Sequence, residues 1–358
     1  MKVIISAGGT GGHIYPALAI IDKILEKEIN SEIVYIGTHN RMEKNIVKKR
    51  GYRYVGLEIY GLSKTNMIRN LKNVFLVNRA EKKCMQVMKE FKPDIVIGTG
   101  GYVIFPVLKA AKKLGIKTFI HEQNSMAGKS NKWISEGVDL VGVSFESTIK
   151  QFEKAKEVLL TGNPCGAQAL KSKEITKKEL HLNSKKKMVL VVCGSLGSKT
   201  INNKFLPVLK LMIKEEYSIV YLTGKNNYDE FMSNGPFPKN VVVMPEHENL
   251  SGLMKSADLI VTRAGASTLC EIMALKKPAL IIPSPYVANN HQYYNALDFV
   301  NLGVAKVLEE KNLTVEKLIL SIDDMLNPKN LKLIEKNYKN LKQIDSAEVI
   351  YNKIKEII

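Results

Sequence analysis

The chain has 358 residues, 45% of them hydrophobic and 25% charged, and its 53 Lys+Arg against 35 Asp+Glu leave a formal charge of +18. That apolar content excludes a disordered chain, the length suits two domains of roughly 100–200 residues each, and no window approaches the ~18 consecutive apolar residues of a spanning helix. The start runs straight into a glycine-rich turn with no signal-peptide pattern, and Cys84, Cys165, Cys193 and Cys270 form no CxxC pair, so a cytoplasmic chain without zinc site or disulfide framework is expected.

In chain order, short β-branched runs alternate with helical patterns, the signature of parallel α/β architecture. Strands are expected at 3–6, 33–36, 54–57, 95–98, 118–120, 140–143 and 158–161. The series pauses over the Lys-rich stretch 167–187, so the domain boundary is placed near Asn163-Pro164. A second series follows at 188–193, 219–222, 241–244, 259–262, 279–282 and 304–307. Both halves open with strand, Gly-rich turn and helix, so both read as Rossmann-like. The expected domains are 1–163 and 164–340, and 341–358 forms a last helix that Asp345 is placed to cap.

Thr10, Gly11, Gly12 and His13 follow the first strand in the run Gly8-Gly9-Thr10-Gly11-Gly12-His13. Glycines there let backbone N–H groups and a helix N-terminus approach an anionic or sugar group. The spacing is not the dinucleotide fingerprint, because Ile14 stands where GxGxxG requires glycine, and hydride transfer is disfavoured. Gly98-Thr99-Gly100-Gly101-Tyr102 repeats the device, and Gly194-Ser195-Leu196-Gly197-Ser198-Lys199 opens the second half. Walker A needs glycine immediately before the Lys, so Ser198 removes the main support for ATP hydrolysis.

The turn Arg263-Ala264-Gly265-Ala266-Ser267-Thr268-Leu269-Cys270-Glu271 puts small residues and hydroxyls at a helix start, which suits a diphosphate. Thr268-x-x-Glu271 equally reads as a capping box that satisfies the helix's own donors. Gln292 and Asn295 lie three apart on an expected helix, where amides can read sugar hydroxyls.

These motifs in order, together with Arg41-Met42-Glu43, His121-Glu122-Gln123-Asn124, Asn131-Lys132-Trp133 and Gly162-Asn163-Pro164, resemble the MurG family of peptidoglycan N-acetylglucosaminyltransferases over residues 3 to about 308. The resemblance implies a GT-B fold, two Rossmann-like parallel-sheet domains facing across a cleft with the last helix returning to the first. It implies inverting transfer of GlcNAc from UDP-GlcNAc to the muramyl C4 hydroxyl of lipid I, the undecaprenyl-pyrophosphoryl-MurNAc-pentapeptide, giving lipid II. Donor contacts then fall on Thr10, Gly11, Gly12, Asn124, Ser195, His247, Ala266, Ser267, Thr268, Leu269, Glu271 and Gln292, with Glu271 on the ribose, and Gly100, Gly101 and Tyr102 lie on the acceptor side. Two positions depart from the family pattern: Gly166 stands where Arg is usual, and His247 where Ile is common.

Direct displacement at an anomeric carbon needs a base, stabilisation of an oxocarbenium-like centre and a sink for diphosphate charge. The sequence has no Asp-x-Asp, so no metal or other cofactor is expected and the charge falls to helix N-termini and hydroxyls. His13 is the candidate base and Glu122 the second, with a capping or diphosphate-contact role as the other reading of His13. Met67, Ile68, Leu71, Val74 and Phe75 recur at helical spacing beside Arg69 and Lys72. Such a stripe is ordinary core or an interfacial helix; the lipid acceptor favours the latter, on an anionic surface at the cytoplasmic membrane face. The alternatives are a related UDP-sugar transferase acting on a diacylglycerol-type lipid and a basic nucleic-acid-binding protein. The second lacks aromatic-interleaved basic motifs, so no nucleic acid is expected.

Overall fold

The computed structural model describes every residue except 62–64, 66, 195–196, 212–215 and 342–343; the side chains of 67–69 also lie outside the described residues. The chain forms two units, Met1–Cys165 with Ile344–Ile358, and Gly166–Gln343.

The first unit carries β1 (Lys2–Ala7), β2 (Glu32–Thr38), β3 (Arg53–Leu57), β4 (Ile95–Gly100), β5 (Lys117–Glu122), β6 (Leu140–Val143) and β7 (Val158–Leu160). They make one parallel sheet in the order β3-β2-β1-β4-β5-β6-β7. Its helices are α1 (Gly11–Lys27), α2 (Met42–Lys49), α3 (Met67–Phe91), α4 (Ile104–Lys113) and α5 (Lys129–Ile134). Helices cover both faces, so β1 is apolar at consecutive positions and Val3, Ile4 and Ile5 are all fully buried. Ile4 packs into the face shared with Cys84, Met88, Val107 and Leu108, while Val3 and Ile5 join Ile14, Leu18 and Ile21 on the other.

The second unit is built alike. Strands β8 (Lys187–Val192), β9 (Tyr217–Leu222), β10 (Val241–Met244), β11 (Leu259–Thr262), β12 (Ala279–Ile281) and β13 (Ala305–Val307) pair in parallel in the order β10-β9-β8-β11-β12-β13. Its helices are α6 (Gly166–Lys171), α7 (Lys199–Leu211), α8 (Tyr228–Met232), α9 (Leu250–Ser256), α10 (Ala266–Leu275), α11 (His291–Asn301), α12 (Val315–Leu326) and α13 (Pro328–Asn340). All thirteen expected strands are present, each within two residues of its expected ends.

The last helix, α14 (Ser346–Ile357), is capped by Asp345, whose carboxylate accepts the Glu348 N–H at 3.1 Å. It rests on the first unit: Ile350 and Ile354 are fully buried against the cluster of β1 and α1, each contributing about 1.5–3 kcal/mol as an upper estimate. Lys23 adds ion pairs to Glu348 at 3.3 Å and Asp345 at 3.7 Å.

Strand order reverses once in each sheet, between β1 and β4 and between β8 and β11. In open α/β sheets ligands bind at such switch points, outside the carboxyl ends of the strands. All four turns singled out for their glycines or small residues leave those four strands.

Candidate functional site

At the first switch point the two glycine turns interlock. Gly8 N–H donates to Gly100 O at 3.2 Å, and a Cβ on Gly101 would overlap Gly8 O. Gly100 and Gly101 also hold φ of +127° and +85°, a region open to glycine and costly for other residues. Thr10 enters α1 in extended conformation, and its side chain does not cap the first turn at Gly11 and Gly12. His13 follows one residue on. Its Nδ1–H donates to Gly8 O at 3.1 Å, and Thr99 Oγ1 holds its main-chain carbonyl at 2.7 Å. A carbonyl only accepts, so Nδ1 carries the proton and Nε2 presents its lone pair, beside Gly100. Tyr102 lays its ring along Gly61.

Glu122 ends β5 and is 1% exposed. Its Oε1 accepts Asn124 N at 3.0 Å and Asn124 Nδ2 at 3.2 Å, and its Oε2 accepts Gly128 N at 2.9 Å and Asn131 Nδ2 at 2.8 Å. Four donors surround the carboxylate, so Glu122, expected as the second candidate base, organises the turn that carries Asn124. His121 is a packed strand-end residue. It donates from Nε2 to Gly162 O at 2.9 Å and accepts Gln123 Nε2 on Nδ1 at 3.0 Å, and burial holds it down at about 4, hence neutral.

In the second unit α10 begins at Ala266, with Gly265 as its uncapped N-terminal residue. Thr268 therefore lies inside the first turn, and the capping-box reading is overturned because the helix starts earlier than that motif requires. Ser267 Oγ is buried without a partner among the described residues. Burial pushes the carboxyl of Glu271, one turn along, up to about 7. Ala266 and Leu269 are buried in the same turns.

The neighbouring turns are tied together by residues to which the sequence reading gave no role or a different one. Arg263 is 9% exposed; it donates to Ile282 O at 3.1 Å, Pro283 O at 3.2 Å and Ser198 Oγ at 3.1 Å, and pairs with Glu310 at 2.5 Å. It thereby joins the segments after β8, β12 and β13 to its own. Asn295, expected to read sugar hydroxyls, is fully buried and donates to Ala264 O at 3.1 Å, so its Nδ2 holds the turn. Gln292 accepts the Ser284 N–H at 2.9 Å on Oε1, which orients its amide. His247 accepts Asn249 N on Nδ1 at 3.0 Å, ahead of α9. Gly166 packs α6 against α10: a Cβ there would stand 3.0 Å from Ala274 Cβ and 3.1 Å from Cys270 Sγ. Ser195 lies outside the described residues.

On α3, Leu71, Val74 and Phe75 are 72%, 59% and 68% exposed, with Lys72 exposed beside them, while Leu76, Ala80, Cys84 and Met88 are buried. The side chains of Met67, Ile68 and Arg69 lie outside the described residues. No helix among the described residues is long and apolar enough to cross a membrane.

Residues 3–143 match the glycosyltransferase family 28 N-terminal domain and residues 188–351 its C-terminal domain. Over the full length of both chains, the protein is 41% identical to a UDP-N-acetylglucosamine–N-acetylmuramyl-(pentapeptide) pyrophosphoryl-undecaprenol N-acetylglucosamine transferase 1 of Bacillus cereus. The enzyme of that name in Bacillus cytotoxicus is 40% identical over the same extent. Among solved structures, MurG of Acinetobacter baumannii superposes with a TM-score of 0.81 at 28% identity, covering 99% of each chain.

Proposed function

The chain belongs to glycosyltransferase family 28, in its UDP-N-acetylglucosamine–N-acetylmuramyl-(pentapeptide) pyrophosphoryl-undecaprenol transferase branch, and from that premise we propose that it moves GlcNAc from UDP-GlcNAc to lipid I, forming lipid II. The observation that carries this reading is the 41% identity running through both units with no part of either chain left over.

The reaction is a single displacement with inversion. The muramyl C4 hydroxyl attacks C1 of GlcNAc, its proton passes to His13 Nε2, and the C1–oxygen bond to the diphosphate breaks to release UDP. His13 suits the task because Gly8 O keeps its proton on Nδ1. The departing charge falls on the N-terminus and hydroxyls of α10, at Ala266, Ser267, Thr268 and Leu269. Glu271 accepts the ribose hydroxyls, Gln292 contacts the sugar, and His247 meets the base through its backbone. Gly100, Gly101 and Tyr102 border the acceptor.

A lipid-tailed acceptor supports a peripheral position at the cytoplasmic face of the membrane. Exposed Leu71, Val74 and Phe75 with Lys72 form the apolar patch and cationic edge that an anionic surface takes up.

The test is UDP release from UDP-GlcNAc, UDP-Gal and UDP-Glc with lipid I or diacylglycerol as acceptor. Turnover confined to UDP-GlcNAc with lipid I is expected, and its absence for that pair overturns the reading.

A further inference from the structure

Glu43 is fully buried in the first turn of α2 and forms no ion pair among the described residues. Its Oε1 accepts Thr38 N at 3.0 Å and Thr38 Oγ1 at 2.5 Å. Its Oε2 accepts the Gly9 N–H at 3.4 Å, the longest of the three. Glycines clear the space it occupies: a Cβ on Gly8 would lie 2.7 Å from Oε1, and one on Gly37 2.9 Å from Cγ.

Gly9 N–H and Gly8 C=O are the two ends of one peptide group, and that carbonyl accepts the Nδ1–H of His13 at 3.1 Å. Carboxylate, peptide and imidazole thus stand in series, an arrangement in which each hydrogen bond polarises the next. A neutral side chain could also hold Thr38, at a lower cost of burial. A charge is of use where it polarises something.

We propose that Glu43 is a positioning residue for the transfer, acting through the Gly8–Gly9 peptide to fix the Nδ1–H tautomer of His13 and to make Nε2 more basic. The inference rests on the reading of His13 as the base. Among the described residues, the titratable groups coupled to the carboxylate are Tyr54 of β3, which donates to Thr38 O at 2.5 Å, and Tyr35 of β2. Burial and then the Glu43 charge raise both phenols well above their usual range, so neither titrates near neutrality. His13 is otherwise met by the Thr99 hydroxyl and by Gly100.

The experiment combines ring-15N NMR of His13, assigned with His13→Gln, with the pH profile of kcat in wild type and Glu43→Gln. At neutral pH the wild-type ring is expected as the Nδ1–H tautomer. In Glu43→Gln the His13 titration and the acidic limb of kcat move together to lower pH, and kcat at neutral pH falls about tenfold with the donor KM unchanged. An Nε2–H tautomer in wild type overturns the proposal even if the variant does not fold, and so does an unmoved His13 titration in folded Glu43→Gln. Wild-type turnover in His13→Ala would instead sink the base assignment, a separate outcome from the ring titration.

Discussion

Asn131 donates its side-chain N–H to Glu122 Oε2 at 2.8 Å across nine residues of chain, and this bond completes the four-donor cage of a carboxylate that is 1% exposed. Breaking such a bond leaves a buried charge short of a partner, which costs about 2–3 kcal/mol. Asn131→Ala should lower the unfolding free energy, read by urea titration, by that amount. Glu122→Gln should do the same, because one carboxylate oxygen becomes an NH2 that faces two N–H donors. A hundredfold loss of kcat in Glu122→Gln with unchanged stability would assign Glu122 as a base.

His13→Ala is expected to cut kcat by at least ~10²-fold, the usual contribution of a positioned base. UDP-GlcNAc binding by calorimetry should persist. Loss of binding with intact turnover at saturation would instead assign His13 to the diphosphate.

Glu271 carries a pH signature. Its folded pKa, raised to about 7 by burial, stands above the ordinary value of 4.5, so between those values the folded protein holds more proton than the unfolded chain. Its burial is least costly below pH 4.5, and stability falls as pH rises through 7. Glu271→Gln removes that slope, and its Tm should gain on wild type between pH 5 and pH 8. Because ribose hydroxyls need the ionised acceptor, the wild-type donor KM should fall as pH rises through 7 and the Gln variant should have a higher, flatter KM. A parallel KM profile in both proteins would remove Glu271 from the donor site.

Gly101→Ala should disrupt the interlocked turns, because its Cβ meets the Gly8 carbonyl at a φ of +85°. Backbone must move in response, so an effect of several kcal/mol or loss of folding is expected in urea titration. Gly115→Ala, at φ +69° with open space around its Cβ, supplies the comparison and should cost only about 1 kcal/mol.

Phe75→Glu and Leu71→Glu alter side chains that are 68% and 72% exposed, so Tm should hold within about a degree. Co-sedimentation with vesicles containing anionic lipid should drop at least several-fold, and wild-type binding should weaken with salt. Binding indifferent to both charge and salt would place the lipid contact elsewhere.

The strands and their alternation with helices were legible in the residues, because a parallel sheet covered on both faces demands unbroken β-branched runs such as Val3–Ile4–Ile5. The glycine turns were legible too, since positive φ and close backbone approach admit little besides glycine. Polar side chains were harder. An acid in a sequence is a carboxylate awaiting partners, and nothing local says whether Glu122 meets a proton or four N–H groups, or that Thr268 falls past the helix start. Glu43 and Gly9 lie thirty-four residues apart, and only the parallel pairing of β1 with β2 brings the turns after them together. The sequence by itself determined the sheets, the turns and the family. The tertiary structure decided which polar atoms are already spent on holding those turns, such as both carboxylate oxygens of Glu122, because hydrogen-bond partners in a folded chain are set by long-range packing.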